Sequence, residues 1–173
     1  MKIAITDLET SGLDEQTHEI LEIGLVVFDS NTFEILDTLD IKIKPEYPER
    51  FDPEAIRING YNENEWKHAV SLKTAMHLYS EKTSDAIFCA HNMIFDFKFI
   101  KKAFEKTSLP IPFNRHSIDI FTLAWAKISH DDTTRWSLKA ICEYLNIPPE
   151  PSTHRAFNGA MAEYQVYKKL MQP

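Results

Sequence analysis

The spacing of hydrophobic and polar positions changes period along this chain. Residues 2–7, KIAITD, are an apolar, β-branched run that reads as a buried strand. EILEIGLVVFD (19–29) and FEILDTLDIKIK (33–44) follow, and the second alternates over LDIKIK as a strand with one wet face does. SNT between them is a turn, so these two strands are expected to pair as a hairpin. PEAIRIN (53–59) and NENEWKHA (62–69) read as short helical pieces. Ser71 is placed to cap LKTAMHLYSEKT, in which Leu72, Ala75, Met76 and Tyr79 share one face. AIFCAH (86–91) is a further buried strand, and residues 95–104 form a helix packing on the sheet. SIDI is a short strand running into a helix over 121–128, and Ser137 caps LKAICEYLNI. A last helix covers about 156–171, with Ala156, Ala160, Tyr164 and Tyr167 along one side.

Three strands in meander, then strands alternating with helices, predict an α/β domain with a mixed sheet. The 173 residues, 43% hydrophobic, suffice for one substantial core, so residues 1–173 are expected to form one domain. The prolines in KPEYPERFDP, PIP and PPEP read as ordered connections. Asp7 and Glu9 end the first apolar run too early for a signal peptide, and no run reaches the roughly 20 residues of a membrane span. Cys89 and Cys142 sit in apolar contexts and are expected to be buried free thiols, which points to a cytoplasmic protein without membrane partners. A net charge of −7 argues against a protein that coats nucleic acid electrostatically. It leaves room for an enzyme acting on a nucleic-acid end, where carboxylates hold cations that offset their charge.

The candidate chemistry begins in TDLETSGL, at the end of the first strand. Asp7 and Glu9 are i and i+2, so in an extended chain their carboxylates leave the same face, about 7 Å apart at the Cα atoms. Convergent carboxylates are costly unless cations join them, and oxygen-only donors favour hard cations such as Mg²⁺ or Mn²⁺. Taken alone, a D-x-E pair is more commonly two solvated charges at a strand exit. AHNMIFDFKFI adds Asp96, flanked by Phe95, Phe97 and Phe99, where an aspartate requires a partner, a cation or a capping role. HRAFNGA adds His154 at the mouth of the last helix, a side chain able to act as a general base near neutral pH.

Together these segments resemble the DEDDh group of 3′→5′ exonucleases, which includes the proofreading subunits of bacterial replicative polymerases. DLETSGL matches the first motif, AHNMIFDFKFI the second and HRAFNGA the third, with SIDIFTLAW, SLKAICEYLNI and PEAIRINGY in their places between. The resemblance implies a ribonuclease H-like fold: a five-stranded mixed sheet, with a three-strand antiparallel meander plus parallel strands, flanked by helices. It implies two divalent metal ions, Mg²⁺ or Mn²⁺, held by four acidic residues. It also implies that the histidine deprotonates a water for in-line attack on the phosphodiester at the 3′ end of single-stranded nucleic acid. Carried over by position, Asp7, Glu9 and Asp96 are metal ligands and His154 is the base. Thr10 resembles the position that touches the terminal 3′ hydroxyl, Leu13 an apolar wedge against the last base, and Asn92 a weaker substrate contact; structural roles fit these three equally well. A DNA polymerase subunit is a further partner that the resemblance implies.

The pattern breaks at one position. The family's last aspartate falls five residues after the histidine, and here that residue is Gly159. The ligand set drops from four carboxylates to three, which predicts a rate loss of roughly 10²- to 10⁵-fold. Asn158 points about 100° away around the helix. Glu163, one turn after Gly159, lies on the same face and leans toward the N-terminus, so it is a candidate substitute beside the plainer role of a solvated helix charge. An ordered water is a third repair. The competing function is a catalytically inactive pseudo-exonuclease that grips a 3′ end or a polymerase without cutting. His18, His68, His77, His116 and His130 lack ligand spacing and are expected at the surface or in caps, and His91 as a hydrogen-bonded structural residue. Asp119 is expected to cap a helix. Trp66, Trp125 and Trp136 are able to stack on bases, with core or rim packing the expected role.

Overall fold

The computed structural model describes residues 1–129, 135–148 and 153–172. Strands β1 (Lys2–Thr10), β2 (Ile20–Asp29) and β3 (Ile35–Lys42) form an antiparallel meander. β4 (Ile87–Ala90) and β5 (Ser117–Asp119) extend it parallel to β1, in the order β3-β2-β1-β4-β5. The helices are α1 (Pro53–Asn59), α2 (Leu72–Thr83), α3 (Met93–Thr107), α4 (Ile120–Lys127), α5 (Leu138–Tyr144) and α6 (Ala156–Met171). This is the predicted five-stranded mixed sheet flanked by helices.

The sheet carries a core on each face. Ile3, Ile5, Val26 and Phe28 join residues of α4, α5 and α6 on one side; Ala4, Leu8, Leu25 and Val27 join α2 and α3 on the other. β2 therefore reads as a nearly unbroken apolar run, with nine of its ten residues buried, whereas β3 at the edge is largely open. The β2–β3 turn is fixed by the Asp29 carboxylate, which accepts from Asn31 N, Thr32 N and the N-terminal ammonium. α6 runs along β2, where Tyr164 and Tyr167 both pack edge-on against Phe28 at 5.2 Å.

Three elements depart from the pattern reading. NENEWKHA forms successive turns, not a helix. Trp66 plunges into the core, donating Nε1 to the Leu21 carbonyl at 3.1 Å, and Val70 bridges Ile43 at once after the turns, leaving no length for a helix. α3 extends beyond 95–104 at both ends, because Asn92 and Ser108 adopt left-handed conformations (φ 60° and 58°) that bound it more widely. α5 closes at Tyr144, where Ile147 N bonds back to the Cys142 carbonyl. Both cysteines are buried free thiols. No helix among the described residues is long and apolar enough to cross a membrane.

Candidate active site at the carboxyl ends of the parallel strands

β4 pairs with β1 only from Ile3 to Ile5, so the edge of β1 beyond Ile5 is not covered by a neighbouring strand on that side. α3 begins three residues after β4 and delivers Asp96, in its first turn, to that gap. Asp96 is 4% exposed, and its carboxyl accepts hydrogen bonds from the Leu8 backbone and from its own. Burial pushes this carboxyl well above the usual carboxylate range; those hydrogen bonds oppose the rise, and the charge of Glu9 adds to it. Glu9 is itself 9% exposed and sits where a bulge between Glu9 and Thr10 shifts the β1–β2 register. Asp7 lies two residues back on the same face, half-buried. The fold thus brings Glu9 and Asp96 together at the ends of two parallel strands, the usual ligand crevice of α/β sheets. Among the described residues no group of three or more His, Cys, Asp or Glu side chains is drawn close enough to hold a metal ion.

The mouth of α6 is seated against β2 beside this pair. Gly24 is the register partner of Asp7, and a Cβ there would stand 2.0 Å from the Ala156 carbonyl oxygen and 2.4 Å from Phe157 N. Only glycine lets the first turn of α6 come this near. Glu22, opposite Glu9, is 1% exposed; its Oε2 accepts from Ala156 N at 3.3 Å, capping a helix whose own N-cap, Arg155, offers no side-chain cap. The Glu22 Oε1 lies 3.8 Å from Arg155 Nε and 3.7 Å from Lys42 Nζ. Burial pushes the Glu22 carboxyl up, and the Ala156 hydrogen bond and the two cations pull against it. Arg155 also donates to the Asn59 carbonyl and to the Glu65 carboxylate, and Asn59 Nδ2 donates to the Thr10 carbonyl at 3.0 Å. One chain of contacts therefore ties the segment of His154 through α1 to the first-motif loop.

That loop is held from both sides. Thr10, 7% exposed, donates Oγ1 to the Gly12 carbonyl at 2.8 Å. Asp52 N donates to the Ser11 carbonyl while the Asp52 side chain caps α1. Leu13 is left standing in solvent at 78% exposure. His154 is exposed at the start of α6; Gly159 is buried in the next turn, and Glu163, one turn further, is 1% exposed. Glu163 is thus not a solvated helix charge, and its field reaches the Cys89 thiol on β4. Asn92 is exposed in the β4–α3 turn. Asp119 does cap a helix, though not the one it precedes: its Oδ1 accepts from Asn92 N and Met93 N at the start of α3. His68, His77 and His116 are exposed, His18 lies over Gly12, and His130 falls outside the described residues. The His91 ring is bonded to the Trp136 backbone.

Sequence pattern alone does not single out Glu22, Gly24, Asn59 or Arg155. The available signal is a charge and a glycine inside the apolar run ILEIGLVVF, which a strand buried on both faces does not otherwise tolerate.

The sequence model of the exonuclease family matches residues 4–167, and the chain belongs to that family. It is 34% identical over 141 residues to ribonuclease T of Shewanella sp. (strain ANA-3), covering 73% of this chain and 64% of that protein. It is 27% identical over 168 residues to the PolC-type DNA polymerase III of Thermotoga maritima, covering 97% of this chain and 12% of the polymerase. The chain therefore spans less than two thirds of the length of these relatives. Among solved structures, Escherichia coli exonuclease I in a zinc-bound complex with single-stranded DNA superimposes with a TM-score of 0.81 at 16% identity, over 98% of this chain and 40% of that one. The nuclease domain of 3′hExo, a DEDDh family member bound to rAMP, gives 0.72 at 17% identity, over 95% and 88%. The fold is ribonuclease H-like.

Proposed function

We propose that this chain is a metal-dependent 3′→5′ exonuclease that releases nucleoside monophosphates from the 3′ end of single-stranded DNA or RNA. The observation that carries the reading is the meeting of buried Glu9 and Asp96 at the open edge of β1. Asp96, whose carboxyl burial and the charge of Glu9 push toward protonation, and the buried Glu9 beside it are a donor set suited to a hard divalent cation, which would hold Asp96 ionised. Glu9 and Asp96 would hold two such ions, Mg²⁺ or Mn²⁺, together with substrate phosphate, and Asp7, two residues back on the same face, would swing in to join them as the ions bind. A bound divalent cation supplies positive charge that polarises the phosphodiester and acidifies water.

The chain's own residues do the rest. His154, exposed at the mouth of α6, takes the proton of the attacking water. Glu22, Arg155 and Asn59 fix where that histidine stands. Thr10 and Asn92 contact the terminal nucleotide, and the solvent-facing Leu13 wedges against its base. Gly159 leaves the set one carboxylate short, which lowers the rate; Glu163, buried on the same helix one turn on, is the side chain available to replace it. The ribonuclease T and exonuclease I likenesses support a nucleic-acid end as substrate, and the PolC-type relatives support a polymerase subunit as partner.

Gly159 also favours a second reading, a pseudo-exonuclease that binds ends without cutting. A 5′-labelled single-stranded oligonucleotide with Mg²⁺ or Mn²⁺, resolved over time, separates the two. The first requires laddering from the 3′ end that is lost in His154→Ala. Binding without laddering, of DNA and RNA alike, favours the second. Isothermal titration of Mn²⁺ into Asp96→Asn reads the metal site without relying on turnover.

A further inference from the structure

Three aromatic rings gather on the carboxyl side of the sheet, and two of them stand open to solvent. Phe121 and Trp125, i and i+4 on α4, are 37% and 46% exposed. Their ring centroids lie 6.3 Å apart with 33° between planes. Trp136, just before α5, lies 4.7 Å from Trp125 and 6.3 Å from Phe121. Trp66 fills the core and Trp125 packs at the rim against Trp136, both as expected.

The cluster is fastened to the candidate active site. Phe121 meets the His91 ring edge-on at 6.4 Å, and that ring, at the end of β4, is bonded to the Trp136 backbone. Asp119, the residue before α4, holds the N–H groups of Asn92 and Met93 that open α3, the helix of Asp96. Exposed aromatic faces suit a single strand, because every base has a face to stack.

We propose that Phe121, Trp125 and Trp136 form a stacking platform for the bases of the substrate strand just upstream of its 3′-terminal nucleotide. The platform rests on the exonuclease reading for the polarity of the strand. It adds affinity for oligonucleotides without touching the reacting bond.

The test compares two short 5′-labelled oligonucleotides, one intact and one abasic at the nucleotides immediately upstream of the 3′ end. Binding is followed by fluorescence anisotropy in a chelator, so turnover plays no part. The unmodified chain is expected to bind the intact strand roughly 5- to 150-fold more tightly than the abasic one. The double variant Phe121→Ala/Trp125→Ala is expected to bind the two alike while staying folded by circular dichroism, with its melting temperature lowered by the lost ring contacts. Hydrolysis of the p-nitrophenyl ester of thymidine 5′-monophosphate, which occupies only the terminal site, should fall by a much smaller factor than strand binding. An unmodified chain indifferent to the missing bases, or a variant that keeps the preference, overturns the platform. So does an equal loss of ester hydrolysis and strand binding, since the rings would then serve the active site itself. A chain that hydrolyses neither substrate refutes the exonuclease reading, while the anisotropy comparison still decides on the platform.

Discussion

Gly24→Ala is the sharpest probe of how the active site is assembled, because the added methyl group meets backbone. Its Cβ would stand 2.0 Å from the Ala156 carbonyl oxygen, 2.1 Å from the Ala156 carbonyl carbon and 2.4 Å from Phe157 N. Reaching ordinary van der Waals separation requires the first turn of α6 to back away by roughly 1.5 Å. No flexible side chain is there to yield. Overpacking of this kind costs about 1–3 kcal/mol, which at about 2–4 °C per kcal/mol lowers the melting temperature by about 2–12 °C. The displaced turn follows His154 directly, and a misplacement of about 1 Å is enough to cost roughly 10²-fold in rate. Calorimetry reads the first effect and single-turnover cleavage of labelled oligonucleotide the second, with oligonucleotide affinity largely kept. A Gly24→Ala chain that melts within 1 °C of the original and cleaves at full rate would show that α6 does not sit on β2 as described.

The other predictions probe charge and capping. Gly159→Asp restores the missing carboxylate and is expected to raise cleavage roughly 10²- to 10⁵-fold; Mn²⁺ affinity measured by titration should rise with it. If Glu163 fills the gap in the present chain, Glu163→Gln weakens Mn²⁺ binding here and has little effect in the Gly159→Asp background; equal effects in both backgrounds refute the substitution. Glu22 has a carboxyl raised by burial, so the folded state holds its proton more tightly than the unfolded chain. Its stabilisation is full below the unfolded value and lost as pH rises through the raised one. Glu22→Gln, which mimics the protonated form, is therefore expected to melt higher than the original at pH 8 and about equal near pH 4. Asp29 runs the other way: the N-terminal ammonium and two backbone N–H groups lower it to about 2, so its contribution disappears as pH falls from about 4 toward 2. Asp119→Ala removes the cap of α3 and should cost about 1 kcal/mol, or about 2–4 °C in melting temperature.

The strands and long helices were legible because their pattern follows from burial. β2 is apolar on both sides since helices cover both faces, and α6 shows its buried side at helical spacing. Ser71 and Ser137 cap α2 and α5 through local geometry that three residues of sequence contain. NENEWKHA has helical composition, yet the Trp66 side chain is bonded to Leu21, 45 positions away, and that tertiary contact overrides local preference. The site divides the same way. Asp7, Glu9 and Asp96 stand out as acids in apolar runs, whereas the importance of Gly24 and Glu22 depends on a helix that arrives more than a hundred residues later. Asp119 illustrates the limit well: its capping role was readable, but the helix it caps was decided by β4 and β5 lying side by side.

Glu9, Glu22, Asp96 and Glu163 are all at most 9% exposed, and each costs stability wherever it must ionise. Glu22 is compensated by Ala156 N, Arg155 and Lys42, so its placement has a structural reason: it seats α6. Asp96 has backbone hydrogen bonds but also the adverse charge of Glu9, a combination that stability alone does not favour. Glu163 is buried on α6, and its charge is felt at the Cys89 thiol on β4. The paired Mn²⁺ titrations of Gly159→Asp and Glu163→Gln decide between a working metal site at these acids and a relic.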